Sequence, residues 1–85
     1  MITEEAEHAL TALEGRSVWA VMRGSNHAFG EIKAFGILEM QDEWNVWKIY
    51  NEETGERFGF FARSVESITT MEGLAAIVFP GFVYR

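Results

Sequence analysis

Between residues 28 and 40 the chain alternates almost without a break. Ala28, Gly30, Ile32, Ala34, Gly36, Leu38 and Met40 are small or apolar, and Glu31, Lys33 and Glu39 fall on the opposite side. A period of two marks a half-buried β-strand. At about 3.3 Å per residue such a strand would extend roughly 43 Å. In a chain of 85 residues it cannot lie flat, because a domain this small offers no surface of that length. Gly30 and Gly36 stand on the inner face, where a strand without side chains can bend sharply. A long strand bent at glycines predicts a small barrel or rolled sheet.

The flanking segments fit that frame. Residues 3 to 14 place Ala6, Ala9, Leu10 and Leu13 at helical spacing, with Thr3 available as N-cap and Glu4 and Glu5 in the first turn. Gly15 suits the left-handed position that ends a helix. Val18 to Met22 is apolar on both faces, as in a covered strand, and Gly24-Ser25-Asn26 is a turn signal. After the break at Gln41-Asp42-Glu43, the segments Trp44 to Tyr50 and Arg57 onward flank a turn ending near Gly55, a strong hairpin pattern. A short turn and a strand around Ile68 to Met71 follow, and Pro80-Gly81 divides the tail into two short strands. The expected fold is mainly β (α+β): an N-terminal helix followed by a strongly bent antiparallel small barrel of about five to six strands, in one domain over residues 1 to 85.

Composition limits the chemistry. With 48% apolar and 14% aromatic residues the chain has the means to fold. Zero cysteines exclude a disulfide scaffold, a thiolate metal site and a cysteine nucleophile. Thirteen acidic against seven basic residues give a net charge of -6, which disfavours non-specific attraction to nucleic acid or anionic lipid. No apolar run approaches a membrane span, and the N-terminal residues are acidic where a signal peptide is basic, so the expected location is cytoplasmic. The tail LAAIVFPGFVYR is a low-charge, β-prone segment that would aggregate on an exposed edge. It predicts a homo-oligomer with Leu74, Ile77, Phe79, Phe82 and Tyr84 at the interface; the alternative is that the tail closes the barrel of a monomer.

The order of helix, strand, glycine-bent strand, hairpin and short final strand resembles Sm-like and other SH3-like small barrels. Gly30-Glu31-Ile32-Lys33-Ala34-Phe35 is similar to the bent second strand of the bacterial Hfq branch, and Phe60 to Ile68 is similar to the segment bearing its Tyr-Lys-His signature. In a competing register, Gly36, Leu38 and Asp42 stand where the Sm first motif has glycine, leucine and aspartate. The resemblance covers residues 4 to 71 and implies a ring assembly that binds RNA. The binding positions depart from it: Phe61, Ala62 and Arg63 replace tyrosine, lysine and histidine. In the other register Asn45 falls one residue short, and Arg63 precedes Ser64 where an Arg-Gly pair is expected.

Few constellations suggest catalysis. His8 follows Glu4 and Glu5 at helical spacing, but a third ligand is missing nearby, so no metal or cofactor is expected. Arg23, Asn26 and His27 share a loop where polar groups could converge on a ligand, and His27 and Arg23 with a carboxylate such as Glu31 form the one conceivable enzymatic site, assembled between subunits. No nucleophile elbow or phosphate-cradling loop is present. The remaining feature is aromatic: Trp44 and Tyr50 on one strand, Arg57, Phe61 and Arg63 on the next, form a platform able to stack a ligand or to pack in a core or interface. The expected function is a self-associating, non-catalytic binding or adaptor module for a protein or small apolar ligand, with an Sm-like RNA binder as the alternative.

Overall fold

The computed structural model describes residues 1–24, 30–41 and 46–81. The helix α1 (Thr3–Leu13) precedes β1 (Ser17–Met22), β2 (Glu31–Met40), β3 (Val46–Tyr50) and β4 (Arg57–Phe61); a 3-10 turn, η1 (Ala62–Ser64), then leads to β5 (Ser67–Met71) and β6 (Leu74–Phe79). The strands form one six-stranded sheet in the order β4-β3-β2-β1-β6-β5. Every neighbouring pair is antiparallel except β1 and β6, which run parallel. The helix and the strand count agree with the sequence, while the parallel pair makes the sheet mixed. β4 and β5 form its two edges, so the rolled sheet is not closed by hydrogen bonds.

Gly36 makes the roll possible. Residues 31–37 of β2 pair with β1, and residues 37–40 pair with β3, so one strand serves two ladders that meet at Ile37. A Cβ on Gly36 would overlap the Tyr50 carbonyl and lie 2.8 Å from the Asn51 amide nitrogen. The end of β3 therefore crosses over β2 where β2 has no side chain. Gly30 lies just before β2, with no room for a side chain against the Met22 carbonyl. Burial follows the bend: Gly36 and Leu38 are buried, whereas Ile32 (52%) and Met40 (50%), expected on the inner face, are exposed. A strand rolled around so small a core keeps contact with it only near the bend.

Trp47, Leu10, Leu38, Ile49, Ile77 and Val18 are the largest fully buried side chains. The helix contributes Ala6 and Leu10 and packs on η1 and β2. Its N-cap is Ile2 rather than Thr3, which lies inside the first turn; the Glu5 carboxylate accepts the Ile2 backbone N–H at 3.4 Å. Gly15 (φ 85°) ends the helix as expected, and its N–H donates to the Leu38 carbonyl at 2.7 Å. The register shifts between Ala20 and Val21, and both are buried. On the outer face Trp19 packs 4.5 Å from Phe35, and its indole N–H donates to the Met71 carbonyl at 3.2 Å. The indole nitrogen of buried Trp47 has no hydrogen-bond partner among the described residues.

The two hairpins differ in strain. In the β3–β4 turn the Asn51 side chain accepts the N–H groups of Glu53 (2.9 Å) and Thr54 (3.1 Å), and Gly55 takes the positive φ (77°). In the β5–β6 turn both central residues have positive φ, Glu72 at 50° and Gly73 at 81°. Such two-residue turns favour Asn-Gly, and glutamate tolerates the left-handed region poorly. Glu72→Asn is therefore expected to raise stability by about 0.5–1 kcal/mol, read as a higher urea midpoint at unchanged m-value. Gly36→Ala is expected to lower stability by about 2 kcal/mol or more; an unchanged midpoint would show that the crossing of β3 over β2 is not sterically tight.

Candidate functional site

Alternation along β4 sends Phe58 and Phe60 inward and Arg57, Gly59 and Phe61 outward. Because β4 is an edge strand, its inward phenylalanines stand at the open seam of the roll. Phe79 and Met22 meet them there, paired at the ends of β6 and β1. The three phenylalanine rings cluster, with Phe58 to Phe79 at 5.5 Å, Phe60 to Phe79 at 5.0 Å and nearly edge-on, and Phe58 to Phe60 at 6.2 Å. Such tilted contacts suit aromatic quadrupoles. The result is an apolar cleft of about 710 Å³, within the roughly 300–1,000 Å³ range of small-molecule sites.

The η1 turn shapes the far wall. Ala62 and Val65 are buried, the Val65 N–H donates to the Ala62 carbonyl at 3.1 Å, and the Glu66 N–H donates to the Val78 carbonyl at 2.8 Å. That leaves Arg63, Ser64 and Glu66 as the polar side chains among the described lining residues. Glu66 is committed to Arg23, whose Nε lies 2.6 Å from its carboxylate. Arg63 has no carboxylate partner among the described residues, and its guanidinium sits 4.5 Å from the centroid of the Phe61 ring. The cleft thus has an apolar floor and, among the described residues, two cations without a carboxylate partner: the Arg63 guanidinium, and the Met1 α-ammonium, which donates to the Glu66 carbonyl at 3.1 Å.

The residues singled out in the sequence separate into groups. Phe61 and Arg63 reach the cleft mouth. Tyr50 and Arg57 pair at the opposite end of the same hairpin, with the guanidinium 5.3 Å from the ring centroid. Lys48, paired with Glu39 at 3.5 Å, and Gly59 lie between these two cation and ring pairs. Arg23 lies behind the cleft as the partner of Glu66. Trp44, Asn26 and His27 lie outside the described residues, as do Phe82 and Tyr84 of the expected interface. Ile77 and Phe79 are buried in the chain's own core and Leu74 is half-buried, so the apolarity of β6 is accounted for without a second subunit. Phe79, at 5% exposure, still lines the cleft, whereas Ile77 is fully enclosed.

Sequence reasoning missed the cleft floor. Phe58 and Phe60 alternate opposite to Phe61, which marks them as the inner face of β4, but nothing local brings them to Phe79 and Met22. A comparison with protein-family models, curated proteins and solved structures finds no match to this chain. Among the described residues no helix is long and apolar enough to cross a membrane, and no three His or acidic side chains are grouped to hold a metal ion.

The burial pattern separates core from surface along the seam. Phe79→Ala is expected to cost about 3–5 kcal/mol, whereas Phe61→Ala, at a side chain 40% exposed, should cost about 0.5–1 kcal/mol. Denaturant unfolding of the two variants checks this, and equal losses would contradict the placement of β6.

Proposed function

We propose that this chain is a self-associating, non-catalytic binding module that holds a small apolar ligand, or the apolar side chains of a protein partner, in the seam between β4, η1 and the end of β6. The observation that carries this reading is the convergence of Phe58, Phe60, Phe79 and Met22 on an open cleft. Apolar surface that remains accessible beside a formed core supports ligand or partner binding. Glu66, the acidic group on the described lining, is paired with Arg23, an arrangement suited to holding the wall together rather than moving protons.

Self-association is supported by the two sheet edges. The β4 and β5 backbones have one side each without a strand partner among the described residues, and exposed Met40 and Phe61 lie near the β4 end. Unpaired edges are templates for pairing with another chain. A second reading, binding of single-stranded RNA as the Sm-like resemblance implies, is favoured by one observation: two rings on the outer hairpin face, Tyr50 and Phe61, each carry an arginine. Base stacking on such rings is worth about 1–3 kcal/mol per base.

Three measurements separate these readings. Saturable binding of an apolar fluorophore, with amide shift changes concentrated at residues 58–65 and lost in Phe58→Ser, is the expected result for the cleft; shifts elsewhere would refute it. Light scattering is expected to give a mass above one chain, and a monomer at every concentration would remove the self-association. If RNA is the ligand instead, oligouridine affinity will fall with salt and the slope will shrink in Arg63→Gln; absence of binding at low salt removes that reading.

A further inference from the structure

We propose that the ligand of the seam is a free linear amphiphile with one anionic head, a medium-chain carboxylate, whose alkyl chain lies on Phe58, Phe60 and Phe79 and whose head is held by Arg63. This rests on the reading of the seam as a binding cleft and specifies its ligand.

Shape and charge point the same way. The cleft follows β4 over four consecutive residues, Phe58 to Phe61, a run of roughly 10 Å at strand spacing. Its described lining is phenylalanine, methionine, valine, proline and glycine along the floor, with the polar groups gathered at the η1 side. An elongated apolar trough with polarity at one end fits a chain with a head group better than a compact polar molecule. The head must be an anion. Glu66 is already neutralised by Arg23, and two cations on the lining lack a carboxylate partner among the described residues: Arg63 and the Met1 α-ammonium, which donates to the Glu66 backbone carbonyl at 3.1 Å. The Phe61 ring under the guanidinium holds it at the mouth, and its planar fork matches a carboxylate in two parallel hydrogen bonds.

The net charge of -6 sharpens the choice of source. It opposes docking on an anionic bilayer, where many like charges face the protein at once, but it barely opposes a single carboxylate placed directly against an arginine. The seam therefore takes a free carboxylate monomer and not a lipid surface.

The test uses the full chain, with octanoate, octan-1-ol and octylammonium below their aggregation concentrations, followed by amide chemical shifts. Octanoate and octan-1-ol are expected to shift residues 58–65 and 79–81, and octylammonium to bind more weakly than either. In Arg63→Gln, octanoate affinity is expected to fall about tenfold while octan-1-ol affinity changes less than about twofold; Arg63→Lys should recover part of the loss. Arg16→Gln, at an exposed arginine that does not line the cleft, is expected to change neither. If octanoate and octan-1-ol bind the seam and Arg63→Gln leaves octanoate unaffected, the head-group assignment is overturned while the binding cleft stands. If no ligand shifts the seam residues, cleft and assignment fall together. Arg63-dependent binding to phosphatidylglycerol vesicles would overturn the choice of a free ligand. Dispersed amide spectra of each variant establish that the fold is retained.

Discussion

A strand that must hydrogen-bond to two partners whose ladders diverge has to bend, and in this chain the bend depends on one missing methyl group. Gly36 lets the Tyr50 carbonyl cross directly over the β2 backbone, so the β3–β4 hairpin folds over β2. That crossing delivers Leu38, Ile49 and Trp47 to one core, and α1 covers it with Ala6 and Leu10. Without it the sheet would be an open ribbon with β4 far from β6. The aromatic contact between Phe58 and Phe79 joins elements four places apart in the strand order, β4 and β6, and exists only because the sheet rolls.

The roll stops short of closure, and the parallel pairing of β6 with β1 is part of the cause. The 3-10 turn at Ala62–Ser64 carries the chain away from β4 into β5, an edge strand, and the tight turn at Glu72-Gly73 then returns it as β6 between β5 and β1. β6 thus occupies an interior place in the sheet, which is why Ile77 and Ala76 are buried. β4 is left facing the ends of β1 and β6 across a gap that side chains line and that no strand of the described residues fills. The seam follows from topology, and its apolar lining follows from the alternation of β4, which any inward-facing strand would show.

What the sequence revealed and what it hid divide along the range of the interactions. The helix, the bent strand and the β3–β4 turn rest on local rules: helical spacing of Ala6 and Leu10, period-two alternation around Gly36, and the glycine that ends the turn at Gly55. Each of these is legible in a window of a dozen residues. The parallel β1–β6 pair joins Val18 to Ala75, and no local pattern announces a partner that distant. The apolarity of β6 was legible, but an interior strand and an interface strand have the same composition, so the letters alone could not place Ile77 and Phe79. The cleft was hidden for the same reason: Phe58 and Phe60 read as core, and only the register of β6 shows that Phe79 and Met22 meet them at an opening. Arg63 was legible as a cation beside an aromatic; that Arg23 holds Glu66, a contact across forty-odd residues, was not.

The same strand edge that forms one wall of the seam also bounds the sheet, so the proposed ligand binding and the proposed association would draw on one region. Pairing a second chain along β4 would use the backbone of residues 57–61, of which Phe58, Gly59, Phe60 and Phe61 line the cleft. A strand seated there would approach Arg63 and the mouth directly, so a ligand head and a neighbouring chain contend for one region. Pairing along β5 involves none of these four residues, because β5 lies at the other end of the strand order. Its outer groove of about 350 Å³, lined by Val21, Thr69, Ala76 and Val78 among others, shares only Glu66 with the seam. Association through β5 therefore leaves the cleft open and can coexist with a bound ligand, whereas association through β4 closes it. If the chain self-associates as proposed, the edge it uses decides whether association gates the cleft or merely multiplies it.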